Sequence, residues 1–151
     1  MKKPLFVQSN FDIPPVLETE RFRLRMLSVD DVEQDYEAVI ESRELLHSMF
    51  GGSWPREGFT LTENLTDLEQ HQQEFLNREA FAYTVVSLDE SRVLGCIYIN
   101  PARKVEINAE VYMWVRQSEY DQGLDAILFQ KVKNWMSSSW PFTAVAYPGR
   151  E

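Results

Sequence analysis

Residues Ala109–Met136, AEVYMWVRQSEYDQGLDAILFQKVKNWM, restrict the possible folds more than any other stretch. Ala109–Arg116 is rich in β-branched and aromatic residues, which suit a pleated surface. Gln117–Gln122 is polar, and Gly123 follows it. The apolar residues Leu124, Ile127, Leu128, Val132, Trp135 and Met136 then fall at helical spacing. The stretch therefore reads as a strand, a polar turn and a helix over Gln122–Met136. A strand entering a helix through a glycine turn gathers free backbone N–H groups and the positive helix end at one point, a ready anion site.

The rest of the chain supplies partners for that unit. Met1–Pro15 lacks periodicity and reads as an arm that lies on the domain or is partly disordered. Arg21–Leu27 alternates Arg23 and Arg25 with Phe22, Leu24 and Met26, a first strand with one buried face. Ser28 caps a helix that carries Val32, Tyr36, Val39 and Ile40. Ser42 begins a short second helix with Leu45, Leu46, Met49 and Phe50, ended by Gly51-Gly52. Ser53–Phe59 is a loop, with Trp54 as either a lid contact or a cover for the core edge. Thr62 is expected to cap a third helix with Leu65, Leu68, Phe75 and Leu76 inward and a solvated face around Gln70–Gln73. Phe81–Leu88, Arg92–Asn100, Val105–Arg116 and Phe142–Tyr147 complete five strands. The second and third form an antiparallel hairpin. The fourth and fifth, joined through a helix, are parallel with a right-handed crossover.

The 151 residues suit a single unit, an arm over 1–15 followed by one domain over 16–151. A net charge of -9 with no basic stripe argues against nucleic acid as a partner. It serves solubility, or it receives a cationic amine. The single cysteine, Cys96, lies in an apolar run and reads as buried packing, and no disulfide or cysteine-based zinc site is possible within one chain. His47 and His71 sit in separate helical patterns and read as surface or packed residues, so no metal is expected. There is no visible signal peptide and no apolar run long enough to span a membrane, so a cytoplasmic location without membrane association is expected.

The order β-α-α-α-β-β-β-α-β, with the residues that carry it, resembles the GNAT superfamily of acyl-CoA-dependent N-acyltransferases. LETERFRLRMLSVDDV (Leu17–Val32) looks like the first strand and helix of the branch that acetylates ribosomal-protein amino termini and antibiotics. Leu94-Gly95-Cys96-Ile97 looks like its hairpin strand, and Ala109-Glu110-Val111-Tyr112 through Val115 its fourth strand. Gln117–Ala126 holds the place of its acyl-CoA loop. The resemblance implies an α/β (α+β) fold, a mixed, mostly antiparallel sheet flanked by helices. It implies acetyl-CoA as co-substrate, lying between splayed fourth and fifth strands and paired to the backbone of Met113, Trp114 and Val115. The N–H groups of Tyr120, Asp121, Gln122, Gly123, Leu124 and Asp125 would hold its pyrophosphate. A small-molecule or peptide amine would attack the thioester directly from the other side, with backbone N–H on the fourth strand stabilising the oxyanion.

Catalytic candidates lie on one face of the fourth strand, which carries Glu110, Tyr112, Trp114 and Arg116. Glu110 reads either as a base with a raised pKa or as a partner of Arg23 or Arg25. Tyr98 and Tyr112 read as proton donors or as packing. Arg116 reaches a phosphate or is a surface charge. The Tyr147-Pro148-Gly149-Arg150 segment falls beside the cleft. The family pattern Arg/Gln-x-x-Gly-x-Gly/Ala becomes Tyr120-Asp121-Gln122-Gly123-Leu124-Asp125, keeping only Gly123. An Asp125 carboxylate roughly 5 Å from a phosphate at an effective dielectric near 20 costs about 3 kcal/mol. In the opposing reading, Asp121 caps the helix and Asp125 satisfies its dipole, so the chain's own carboxylates replace the ligand's phosphates. The family's helix and hairpin after the fifth strand do not follow here, which is expected to leave apolar surface near Trp140 and Phe142 to be covered by a homodimer or by the arm. Two functions therefore stand side by side: an acetyl-CoA-dependent N-acetyltransferase, and a non-catalytic GNAT-fold binding or regulatory module. A structural subunit that dimerises through the sheet edge is a third.

Overall fold

In a computed structural model, which describes residues 5–150, one six-stranded sheet runs β1-β2-β3-β4-β5-β6 in spatial order. The strands are β1 (Val16–Glu18), β2 (Arg23–Met26), β3 (Phe81–Val86), β4 (Val93–Pro101), β5 (Ala109–Val115) and β6 (Val145–Ala146). All neighbours are antiparallel except β5 and β6, which are parallel. Helices α1 (Val32–Glu41), α2 (Arg43–Phe50) and α3 (Leu61–Leu76) come between β2 and β3. A single turn, α4 (Gln117–Tyr120), and the long α5 (Leu124–Ser139) separate β5 from β6. The expected α+β class and strand order hold. The three-residue β1 was missed, and the fifth expected strand, Phe142–Tyr147, is reduced to two residues, Val145 and Ala146, as β6.

Alternation along the strands divides the core in two. On one face Ala109, Val111, Met113 and Val115 meet Leu124, Leu128, Val132, Trp135 and Met136 of α5. On the other, Trp114 and Cys96 pack with Ala38 and Val39 of α1 and Leu68 of α3. Cys96 is 1% exposed, as its apolar run suggests. The helix starts obey local chemistry. Ser28 Oγ accepts from Asp30 N–H (3.1 Å), and α3 is capped by Thr60, not Thr62, whose Oγ1 accepts from Glu63 N–H (3.1 Å). Leu76 is 60% exposed rather than inward.

Arg21–Leu27 differs from expectation in its ion pairs. Arg23 pairs with Glu18 and Glu90, and Arg25 with Asp31 and Glu90, so neither reaches Glu110. The apolar surface around Trp140 is closed by the arm: Phe6 stacks on Phe142 at 5.1 Å and Phe11 lies 5.6 Å from Trp140.

Arg116 is neither a phosphate ligand nor a surface charge. It is buried, and donates to Glu37 Oε1 (2.8 Å), Glu41 Oε1 (2.8 Å) and the Val93 carbonyl (3.0 Å), locking β4 and β5 to α1. The Arg116 hydrogen bond holds the Glu41 carboxyl down to about 2 against its burial. Its contribution is therefore present above the ordinary carboxylate pKa and is lost as pH falls through about 2. Arg116→Ala is expected to lower stability by about 2 kcal/mol, below the cost of a fully buried pair because both glutamates reach solvent. Urea denaturation measures it.

Candidate functional site

Two cavities lie on opposite sides of β5 and meet at Phe50 and Tyr112, which line both. The rings of those two residues are 6.5 Å apart, edge to face.

The smaller cavity, about 210 Å³, lies where β5 and β6 part. The two strands pair only at Ala109–Val145 and Glu110–Ala146, so beyond that point the β5 edge is open. Strand backbone alternates in direction. The Trp114 carbonyl points at Gly95 on β4, while the Met113 carbonyl points into the gap, where Arg150 Nη2 donates to it at 3.0 Å. Of the three residues expected to pair with a ligand, Met113 is thus presented to the gap, and Val115 shares its orientation. Trp114 is not available: its backbone serves β4, and its buried indole N–H donates to Tyr98 Oη at 3.1 Å.

The turn before α5 also departs from expectation. Gln117–Gln122 is not an open loop, because Gln117 N–H donates to Ser42 Oγ (2.8 Å) and Ser118 N–H to Glu41 Oε2 (2.9 Å), which start a helical turn. The N–H groups of Tyr120, Asp121, Gln122 and Gly123 are then spent on Arg116, Gln117, Glu119 and Tyr120 carbonyls. Only Leu124 and Asp125 of the predicted set keep N–H groups at the open start of α5, and the Leu124 side chain is buried in the core. No side chain caps that start. Asp121 instead accepts from Gln117 Nε2 at 2.8 Å, so it is not the helix cap. Gly123 has φ +88°, a left-handed conformation suited to glycine, and open space where a Cβ would stand.

Asp125 is not a bare charge. Arg150 binds both its carboxylate oxygens, at 2.8 and 2.9 Å, with the guanidinium over the Phe129 ring at 5.2 Å. This bidentate pair cancels the charge that was expected to repel phosphate. Its partner comes from 25 residues along the chain, which no local pattern reports. The Met113 carbonyl, the open α5 start and the space at Gly123 lie around this gap, and Arg150 holds the first of them.

The larger cavity, about 410 Å³, opens between the sheet and helices α1 and α3. Asp35 of α1 lines it, 4% exposed, accepting from Asn64 Nδ2 at 2.9 Å. Burial, against the hydrogen bond from Asn64, raises the Asp35 carboxyl to about 6. Asp67 and His71 continue the inward stripe of α3 begun by Asn64. Burial also raises Asp67, which is hydrogen-bonded by Trp54. Tyr98 and Asn100 of β4 form the floor, with His71 tilted over Tyr98 at 5.2 Å. Burial drives Tyr98 well above its ordinary value, so its hydroxyl stays protonated.

Glu110 and Tyr112 are joined: Tyr112 Oη donates to Glu110 Oε1 at 3.0 Å. Glu110 also accepts from the Arg103 backbone (3.3 Å) and lies 3.5 Å from its guanidinium. Partial burial pushes the Glu110 carboxyl up, but the bonds from Arg103 and Tyr112 outweigh it and leave it below its ordinary value. A raised-pKa base at Glu110 is therefore corrected, as is its pairing with Arg23 or Arg25. Desolvation and the bond to Glu110 raise Tyr112. Sequence reasoning missed Asp35, Asn64 and Asp67. The spacing Asn64–Asp67–His71 was a usable signal, since it puts polar groups beside Leu68 on the buried stripe of α3.

No family model and no curated protein matches the chain. Solved structures do. A microcin self-immunity acetyltransferase, MccE, in complex with acetyl-CoA and AMP, is 13% identical with a TM-score of 0.65, over 81% of this chain and 66% of that one. The ribosomal-protein α-N-acetyltransferase RimL in complex with coenzyme A is 15% identical with a TM-score of 0.65, over 80% and 67%. An acetyltransferase from Agrobacterium tumefaciens is 18% identical with a TM-score of 0.57, over 87% and 71%. The chain spans about two thirds of the length of these structures. The fold is that of the GNAT acetyltransferases. Among the described residues no helix is long and apolar enough to cross a membrane, and no group of three or more His, Cys, Asp or Glu side chains is placed to hold a metal.

Proposed function

We propose that the protein transfers an acetyl group from acetyl-CoA to an amine by direct attack. The observation that carries this reading is the pair of cavities meeting across β5 at Phe50 and Tyr112, one beside the open Met113 edge and one lined by carboxylates. Acetyl-CoA, when bound along that edge, supplies the thioester. Asp35, directly or across one water, accepts the proton that the ammonium must lose before nitrogen has a lone pair. Tyr112 turns its hydroxyl proton from Glu110 to the departing sulfur as the C–N bond forms and the C–S bond breaks. The amine nitrogen's second proton replaces the one Tyr112 gave up, and the first leaves Asp35 for solvent, so one proton is released overall. Glu110 acts as a positioning residue for Tyr112.

The competing reading is a GNAT-fold module with weak or lost CoA binding, favoured by Arg150 lying on Met113 and Asp125. Calorimetric titration of acetyl-CoA, followed by an assay of amine-dependent CoA release, separates the two. Asp125→Asn frees the Arg150 cation to meet phosphate. At roughly 5 Å and an effective dielectric near 20 the attraction of the uncovered guanidinium for a phosphate is about 3 kcal/mol, so acetyl-CoA should bind at least about tenfold tighter. Arg150→Ala should weaken binding, because it leaves Asp125 bare. Absence of heat from the unaltered protein and from Asp125→Asn at millimolar acetyl-CoA would favour the module.

A further inference from the structure

We infer that Arg150 is a latch on the open β5 edge: it holds the Met113 carbonyl shut against a phosphate-free thioester and yields it to one whose phosphates draw the guanidinium away. Arg150 thereby selects acyl-CoA over the bare acylpantetheine arm. The latch adds selectivity to the acyl-transfer reading, and rests on that reading for the ligand that lies along the edge.

Several contacts hold the guanidinium closed at once. Its Nη2 donates to the Met113 carbonyl at 3.0 Å, and Nη1 and Nη2 take both oxygens of Asp125 at 2.8 and 2.9 Å. Asp125 and Phe129 stand one turn apart on α5, so the carboxylate and the ring beneath the guanidinium, 5.2 Å away, share one helix face. Only 15% of the Arg150 side chain is exposed. The carbonyl it covers is the one that a ligand lying along β5 like an added strand would bond.

Space leads to the same closed state. Pro148, Gly149 and Arg150 form one wall of the 210 Å³ gap. At water's share of about 30 Å³ per molecule, that volume admits on the order of seven non-hydrogen atoms, fewer than a pantetheine arm carries. The arm fits only when this wall moves. Tyr147 anchors the segment: it is buried, its ring lies 5.3 Å from Phe129, and its carbonyl accepts from Arg150 N–H at 3.0 Å. The moving part is the Arg150 side chain, which can leave Met113 without leaving Asp125. The bonds to Asp125 and Met113 use Nη1 and Nη2, and Nε–H is left for a phosphate oxygen. A phosphate at the open start of α5 lies beside Asp125, in the first turn of that helix, and so within reach of the guanidinium. A thioester without phosphates offers Arg150 nothing in exchange for the carbonyl.

Calorimetry on the whole chain compares acetyl-CoA with S-acetylpantetheine, which has the same arm and no phosphate. The unaltered protein should prefer acetyl-CoA. Arg150→Ala should bind acetylpantetheine about tenfold tighter, because carbonyl and wall are freed, and acetyl-CoA at least about threefold weaker, because Asp125 is left bare. Urea midpoints show that the variant folds, and Arg150→Met, which keeps a stem against Phe129, should shift the two affinities in the same opposite directions. A damaged groove would weaken both ligands. Any other pattern overturns the latch: both thioesters shifting in one direction, either affinity unchanged, or neither thioester bound by any of these proteins. If the opposite shifts appear but no CoA is released when an amine is added with acetyl-CoA, the acyl-transfer reading fails and the latch stands.

Discussion

Asp35→Asn is expected to make the protein more stable at neutral pH and to remove most of the amine acetylation proposed for it. The two effects have one cause. Burial raises the Asp35 carboxyl from 3.8 to about 6, so the folded state binds its proton more tightly than the unfolded state does. The stability linked to that proton is present below the unfolded value of 3.8 and is lost as pH rises through about 6. The difference corresponds to about 3 kcal/mol at 1.36 kcal/mol per pH unit, an upper limit. An amide keeps the carbonyl oxygen that Asn64 bonds but never ionises. The variant should therefore gain about 2 kcal/mol at pH near 8, and little at pH near 4, by urea denaturation. Its turnover should fall about a hundredfold or more, the usual contribution of a positioned base. In the unaltered protein, turnover should rise with pH through about 6, and the variant should lack that step. A variant that is less stable than its parent at pH 8 would show that the fold needs this charge, and would remove the argument for a functional carboxylate.

Gly95→Ala should cost at least about 3 kcal/mol, at or above the upper end for overpacking, because the obstacle is backbone and not a side chain that can turn aside. A Cβ at Gly95 would stand 2.1 Å from the Trp114 carbonyl oxygen and 2.9 Å from Val115 Cα. Those atoms belong to β5 directly opposite, in the Gly95–Val115 pair. Both faces of β4 are covered at this point, so β4 cannot move away without opening one of the cores. Moving β5 instead would displace the Met113 edge and Arg116, which donates its backbone N–H to Leu94 O at 2.8 Å. The variant should therefore lose acetyl-CoA binding before it unfolds, and a urea series followed both by fluorescence and by ligand binding would resolve the order. A loss under about 1 kcal/mol would mean that the two strands have slack that the observed spacing does not suggest.

The elements that sequence alone placed well share a property: the signal was local and repeated. Phe81–Val86 and Val93–Pro101 are short apolar runs separated by Asp89-Glu90-Ser91, and they form the hairpin that such spacing demands. Leu124, Leu128, Val132, Trp135 and Met136 keep helical spacing, and all five are buried. The misplacements were made where a distant residue decided the outcome. Thr60 in place of Thr62 is the exception, since its signal was local: Glu63 stands three residues on, and its N–H and carboxylate both meet the Thr60 hydroxyl. Gln117–Tyr120 became a helical turn because Glu41 and Ser42, some 75 residues earlier, cap it. Glu110 found Arg103 across the preceding turn instead of Arg23 or Arg25 across the sheet.

The site was legible only in outline. The strand–glycine–helix order of Ala109–Met136 follows from residue type and spacing, whereas the uncapped start of its helix does not, because Asp121 was equally competent as a cap. The α+β class, the burial of Cys96 and the two faces of β5 follow from residue type and spacing too. Only the tertiary structure joined Arg150 to Asp125, turned the Trp114 backbone away from the gap, and brought Asp35 of α1 opposite Asp67 of α3 around one cavity. The physical reason is range. Propensity and hydrophobic period act over a few residues, whereas charge pairing, desolvation and a shared cavity depend on distances that the chain closes only when it folds.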